Sequence, residues 1–404
     1  MTEDTTDEWD TTDGTPPPFP IPRTCPYSLP PEYRGLREQR PVFRATLPSG
    51  HEVWIVTRHE DVRAALLDPR LSSDRGDPNF PEMIATAKSD RDSTLSLAGM
   101  DAPRHTRMRK AVAGEFNPRR MEALRPRVQQ IVDDCLDSML AGPRPADLVK
   151  ALSFPVPSLV ICELLGVSYT DHEFFEERTA RMLNVTRPPL ERQEAFFDLQ
   201  SYLDSLVTEK EKSPGDDVLS RQVTGDRVYD HAELVDLAFL LLTAGHDTTG
   251  NMISLGAMAL AEDADLRERV ASGQTLAVVD ELLRYFSITD LITGRMAKED
   301  TEIGGQVIRA GEGVYALGGA ANHDPEVYER PDEIDVDRGA RGHIAFGLGA
   351  HHCLGYGLAR MELEVVYETL VRRVPGLTLT EKVEDLPLKN DLAIFGLHAL
   401  PVTW

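Results

Sequence analysis

Residues 346–355 read FGLGAHHCLG, a single cysteine, Cys353, among three glycines with His351 and His352 directly before it. Thiolate and imidazole are both ligands of transition metals. Two chemistries fit the run. His351, His352 and Cys353 could be three ligands of a bare metal ion. Alternatively, only the sulfur binds, and the glycines let something large and flat lie against the backbone. Zinc asks for four ligands with their own spacing, and three adjacent residues do not easily point at one ion. Gly347, Gly349 and Gly355 remove side chains where the backbone must turn tightly or approach a planar ligand. The run CLGYGLARMELEVVYETLVRR predicts a helix from about Leu354 to Arg373, which sets the sulfur at a helix N-terminus. Partial positive charge and free N–H groups there favour a thiolate.

A second group is AGHDTT at 244–249, inside a helix expected over about 232–262. Gly245 weakens a helix, and Thr248 can return a hydrogen bond to the carbonyl four residues back. Both effects bend or widen a helix locally. Asp247 and Thr248 then put an acid and an alcohol beside the opened groove; the plain alternative is a kink with a polar edge. In DAPRHTRMRK (101–110), His105 and Arg109 are four residues apart on one helix face, which by itself describes a basic surface helix. In ELLR (281–284), Glu281 and Arg284 are three apart and can pair, as many solvated surface pairs do.

These groups need elements to hold them. Helical periodicity dominates from about 101 to 290, as in RRMEALRPRVQQIVDDCLDSMLA (119–141) and LVICELLGV (159–167). HEVWIVT (51–57) reads as a strand and HEDVRAALLD (59–68) as a helix. TEIGGQVIRAGEGVYAL (301–317) reads as short strands around glycine turns, and the closing LAIFGLHALPVTW is strand-like. The expectation is a mainly α protein: one large helical domain over 21–404 with small β-sheets in its N- and C-terminal portions. An acidic, proline-rich tail over 1–20 is expected to be disordered.

Bulk properties narrow the function. A net charge of −24 over 404 residues argues against nucleic acid and against docking on anionic lipid. The start lacks the positive flank and apolar stretch of a signal peptide. The most apolar run, LVDLAFLLLTAG (234–245), contains Asp236 and is too short to span a bilayer. A cytoplasmic location is expected. The four cysteines, Cys25, Cys135, Cys162 and Cys353, match no zinc ribbon, redox pair or cluster pattern. No disulfides are expected, and Cys135 and Cys162 read as buried thiols. Residues 104–127 carry eight Arg or Lys against two Glu, a local +6 in an acidic chain. Such a face steers an acidic partner.

Phe346, Gly347, Gly349, His351, Cys353 and Gly355 match F-G-x-G-x-H-x-C-x-G, and on these residues the chain resembles the cytochrome P-450 superfamily. AGHDTT resembles that family's oxygen-activation motif, ELLR its E-x-x-R, and DAPRHTRMR its D-x-P-x-H-x-x-x-R, in the family's order over roughly 25–404. RTCPY, PSLVICELLGV and LPVTW are closest in texture to the soluble actinobacterial branch. The resemblance implies the cytochrome P-450 fold and haem b, with Cys353 as the proximal iron ligand. It assigns His105, Arg109, Arg295 and His351 to the haem propionates, sets Ala244 above the haem, and joins Glu281, Arg284 and Arg338 in a structural triad. Thr248 and Asp247 would deliver protons during dioxygen activation. A ferredoxin with its reductase would dock on the basic 104–127 face. The implied activity is hydroxylation of a bulky apolar small molecule of macrolide or polyketide, statin, sterol or xenobiotic type. Met83, Leu95, Leu241, Leu291, Ile292, Ile394 and Phe395 would line its pocket. A haem gas sensor would need neither the acid–alcohol pair nor the basic face. A peroxide-using haem enzyme would carry a different acid, and a zinc hydrolase would rest on HHC alone.

Overall fold

The β-branched and aromatic residues of VFRAT and EVWIV form two antiparallel strands, Val42–Thr46 and Glu52–Val56, with Val42 opposite Val56 and Thr46 opposite Glu52. Gly50 turns the chain between them at φ +86°. The computed structural model describes residues 16–83, 97–168, 171–184, 187–390 and 394–404. They divide into two units, one up to Ala102 plus Leu283–Cys353, the other Pro103–Leu282 plus Leu354–Trp404.

In the first unit the hairpin grows into a five-stranded sheet. Glu52–Val56 runs parallel to Gly313–Leu317, which pairs antiparallel with Leu291–Ala297; Leu71–Ser72 closes the edge. Gly313–Leu317 is the middle strand and all five of its residues are buried, which is why its sequence is apolar without alternation. One core cluster gathers Phe19, Tyr33, Phe43, Ile55 and Leu317; another gathers Val56, Val62, Leu66, Val314 and Ile344. The second cluster brings in the helix His59–Leu67, whose first N–H donates to the Asp324 carboxylate at 2.9 Å. The glycine-turn reading of 301–317 holds. Thr301–Ile303 and Gln306–Ile308 pair antiparallel across Gly304 and Gly305, both at positive φ. The tail expected over 1–20 is corrected at its end. Phe19 is 2% exposed, stacks on Tyr33, and donates its N–H to the Thr46 carbonyl at 2.9 Å. An aromatic residue after a proline run found a core position that composition did not reveal. Residues 1–15 lie outside the described residues.

The second unit is mainly helical. Its longest element, His231–Glu262, starts in a reciprocal capping box: the Asp230 carboxylate accepts the Glu233 N–H at 2.8 Å, and the Glu233 carboxylate accepts the Asp230 N–H at 2.9 Å. From Thr249 to Leu260 every residue is buried, as befits a helix apolar on all sides. It packs against the helices Pro155–Leu165, Pro189–Lys212 and Tyr356–Arg373. Small strands Ala146–Asp147, Thr378–Leu379 and Pro401–Thr403 form a separate sheet. Among its described residues the strand-like tail is strand at Pro401–Thr403, with an isolated bridge at Leu397.

Glycine makes one helix contact possible. A Cβ on Gly256 would stand 1.9 Å from the Tyr367 hydroxyl, which donates to the Met252 carbonyl at 2.6 Å. Gly256→Ala must displace a fully buried tyrosine. We expect a loss of about 1–3 kcal/mol, the usual cost of overpacking, despite alanine's better helix propensity. Chemical denaturation of the two proteins, compared at equal m-value, checks this.

Candidate active site

The cysteine loop belongs to the first unit. Gly347 and Gly349 sit at φ +67° and +76°, the left-handed region that glycine enters without strain. The Cys353 N–H donates to the Phe346 carbonyl at 2.9 Å and the His352 N–H to the Gly349 carbonyl at 3.1 Å, so the run closes on itself. A Cβ on Gly349 would lie 3.0 Å from the Leu66 carbonyl oxygen; the loop is seated directly on the last turn of the helix His59–Leu67. The helix after the cysteine begins at Tyr356 with Gly355 as its cap, not at Leu354. Cys353 therefore stands three residues before the first helical residue, because Leu354 and Gly355 form a turn. Among the described residues no three His, Cys, Asp or Glu side chains converge as metal ligands, so the bare-metal reading of His351, His352 and Cys353 falls. None of the four cysteines is in a disulfide, as expected. Cys162 is buried and Cys135 half-buried, and burial pushes each thiol up to about 12.

Two arginines brace the chain leading to the loop. Arg284 is fully buried and donates to the carbonyls of Asn322, Pro331 and Glu333 at 2.9–3.0 Å. Arg338, half-buried, donates to the carbonyls of Arg330 and Glu333, each at 3.0 Å, and to that of Glu329. Glu281 is also fully buried, one turn before Arg284 on the helix Thr275–Phe286. Asn322 extends the brace: its amide donates to the Ser287 hydroxyl, and its oxygen accepts the Ile344 N–H, both at 2.8 Å. Arg295 follows a register shift in the strand Leu291–Ala297. It is 5% exposed, and burial pulls its guanidinium down to about 10, with Asp101 opposing.

The acid and the alcohol belong to the second unit. Thr248 donates its hydroxyl to the Ala244 carbonyl at 2.6 Å, the back-bond expected from the sequence. Ala244 is exposed and Thr248 half-buried, while His246 and Asp247 are buried. The helix thus presents a small-residue edge at Ala244, Gly245 and Thr248. The Asn251 amide donates to the Asp247 carbonyl at 2.8 Å and to its carboxylate at 3.3 Å. Lys389 Nζ stands 4.0 Å from that carboxylate. Burial raises the Asp247 carboxyl above its ordinary range, with Lys389 and Asn251 opposing. His246 packs edge-on against Phe154 at 5.2 Å, and burial takes it down to about 3, so it is neutral near pH 7. His105 is 2% exposed on the helix Arg104–Ala113, with Arg109 half-buried one turn on.

The expected residues therefore fall into local groups: the cysteine loop, the braced arginines, Arg295 on its strand, the acid–alcohol edge, and the His105–Arg109 face. Among the expected pocket residues, Leu241 and Phe395 are buried and Ile394 half-buried. Met83 and Leu291 pack on the Phe19–Tyr33 core cluster. Ile292 pairs through its backbone with Ala316, and Leu95 lies outside the described residues. Asn251 and Lys389 were missed. Helical spacing from Asp247 could have found Asn251; nothing local signals Lys389.

The basic stretch is corrected in extent. Arg104 pairs with Glu233 at 3.0 Å, Arg120 with Glu115 at 3.4 Å, Arg127 with Glu163 at 3.0 Å, and Arg125 with Glu364. Acids from distant segments neutralise half of the local excess. Arg107, Lys110 and Arg119 are exposed and carry no ion pair among the described residues.

Comparison with known proteins gives the family. Residues 275–401, which include both the E-x-x-R helix and the cysteine loop, match the family model for cytochrome P-450. The chain is 43% identical over 403 residues to vitamin D3 dihydroxylase of Streptomyces griseolus, covering 98% of each. It superposes on the crystal structure of cytochrome P-450 MoxA from Nonomuraea recticatena with a TM-score of 0.87 and 50% identity, over 96% of this chain and 98% of that one. The structure of the mycinamicin VIII C21 methyl hydroxylase MycCI from Micromonospora griseorubida, bound to mycinamicin VIII, gives a TM-score of 0.89 at 38% identity, over 96% of this chain and all of that one. The glycine loop around Cys353 lies within the stretch that matches the family model. The chain belongs to the cytochrome P-450 family and is a haem-binding monooxygenase of that family. No described helix is long and apolar enough to cross a membrane.

Proposed function

We propose that the chain hydroxylates a bulky apolar small molecule, of macrolide or sterol type, with electrons from a ferredoxin and its reductase. The observation that carries the reading is that the chain holds both a glycine-built loop at Cys353 and a Thr248 back-bond next to a buried acid. The residues fit haem. At Gly355, the cap of the following helix, a Cβ would meet no protein atom within 4 Å, so the backbone there is open to close approach by a planar ligand. Cys353 would hold the iron, and His105, Arg109, Arg295 and His351 the propionates, through charge-assisted bonds. Bound haem supplies the oxidising chemistry.

The protein's own part is orientation and protons. Thr248 has its hydroxyl proton committed to the Ala244 carbonyl, so its lone pairs are left to accept from water and fix that water's direction. Burial raises the Asp247 carboxyl and so favours its protonated form, which suits it to pass a proton on and retake one from solvent. Leu241, Ile394 and Phe395 offer apolar surface to substrate. The relatives support the substrate class: one is named for vitamin D3, another was solved with mycinamicin VIII bound. The location we propose is cytoplasmic, and the whole of 21–404 serves as one catalytic domain, since each unit alone lacks part of the expected residue set. The test is the absorption spectrum of the ferric protein titrated with a panel of macrolides and sterols. A low- to high-spin shift with one of them identifies the class; no shift with any bulky apolar compound overturns it.

For electron entry, the exposed cations Arg107, Lys110 and Arg119 form the docking face. Converting all three to glutamine is expected to slow the first electron transfer from a ferredoxin about tenfold at low salt and to flatten its salt dependence. Stopped-flow reduction at two ionic strengths reads both effects, and unchanged kinetics would remove this face from the proposal.

A further inference from the structure

The C-terminal hairpin reaches the acid of the long helix. Leu388 and Leu397 form an antiparallel bridge, and the Lys389 N–H donates to the Gly396 carbonyl at 2.9 Å. This hairpin lies hard against the helix His231–Glu262: a Cβ on Gly396 would stand 1.9 Å from Asn251 Oδ1. The side chain of Lys389 is 9% exposed and that of Asp247 7%. The Lys389 ammonium lies 4.0 Å above the Phe154 ring centroid, and 4.0 Å from the Asp247 carboxylate. A cation this deep needs compensation, and here an aromatic face and a carboxylate supply it.

We infer that Lys389 is a positioning residue for the proton relay: it fixes the Asp247 carboxyl and supplies the counter-charge beside which that group can ionise. This rests on the relay role proposed above for Asp247. In one relay cycle the O–H bond of Asp247 breaks, the proton passes toward the Thr248-oriented water, a carboxylate is left beside the ammonium, and a solvent proton restores the acid. No oxidant or reductant enters this step. Among the described residues, the groups shown at the carboxyl are Lys389 from the hairpin and Asn251 one turn on; Phe154 underlies the Lys389 ammonium, and His246 precedes Asp247 in sequence. Among the described groups there, Lys389 is the cation that pairs with the carboxylate, and His246 is neutral near pH 7.

Burial favours the protonated acid, and Lys389 opposes burial. Without the lysine the carboxyl becomes a weaker acid, so its ionisation moves to higher pH and its proton is given up more slowly. The experiment titrates the buried carboxyl C=O stretch by infrared difference spectroscopy on the ferric holoenzyme, the band being identified by its loss in Asp247→Asn. Coupled turnover is followed against pH in parallel. Lys389→Met is expected to move the infrared midpoint up by about one unit or more and to slow proton delivery several-fold; Lys389→Arg should restore both. An unmoved midpoint in a folded Lys389→Met protein overturns the inference. If the midpoint moves while Asp247→Asn turns over as the parent does, the counter-charge stands and the relay reading falls.

Discussion

Cys353→His is expected to retain haem yet lose monooxygenation by on the order of a thousandfold, because thiolate donation, not iron as such, favours O–O cleavage. The structure makes the substitution a fair test. Gly347 and Gly349 take the left-handed angles, and the backbone N–H of Cys353 closes the loop on the Phe346 carbonyl. Histidine at 353 can therefore keep the loop while changing the donor. The reduced carbon monoxide complex checks it: the parent should show the strongly red-shifted Soret band of a thiolate, the variant an unshifted band. A red-shifted band in the variant would mean that the sulfur at 353 is not the ligand.

Thr248→Ala is expected to cut product formed per electron pair about tenfold, the difference appearing as hydrogen peroxide, while haem binding and folding stay as in the parent. Alanine is the better helix former, and the lost hydroxyl bond runs only to the same helix's Ala244 carbonyl. What disappears is the pair of lone pairs that orients water. Thr248→Ser should keep most of the coupling and Thr248→Val should not, since valine has the shape without the oxygen. Asp247→Asn is expected to differ in kind: slower turnover with the product ratio largely kept, because the acid supplies protons and the alcohol directs them. Peroxide and product measured together on all four variants separate the two roles; full coupling in Thr248→Ala would remove the alcohol from the mechanism.

What the sequence disclosed was what is local in the chain. The Cys353 loop, the Thr248 back-bond and the long helix all arise from residues within a few turns of one another, so spacing alone conveys them. The strands around Gly304 and Gly305 were legible for the same reason. The misreadings are long-range. Arg104, Arg125 and Arg127 looked like an open positive face because their partners, Glu233, Glu364 and Glu163, are 36 to 239 positions away. Phe19 sat in a stretch whose composition says disorder, yet a single aromatic residue found Tyr33 and Phe43. Lys389 meets Asp247 across more than a hundred residues, and a lysine in LPLKND carries no mark of that meeting. The local start of the helix after Cys353 was misplaced by two residues, because glycine after leucine makes a turn before it makes a cap.

The segment from Glu329 to Glu333 is held in place largely from outside itself. Its carbonyls are met by guanidinium groups at 284 and 338, which share the oxygen of Glu333. A stretch of this kind inherits its shape from two remote positions, so its own residues can vary while those two cannot. The constraint is planar reach, not charge: a lysine at 284 would preserve the cation but could not span three carbonyls with one ammonium. Natural variation in this part of the chain should therefore be wide along the segment and frozen at the two arginines.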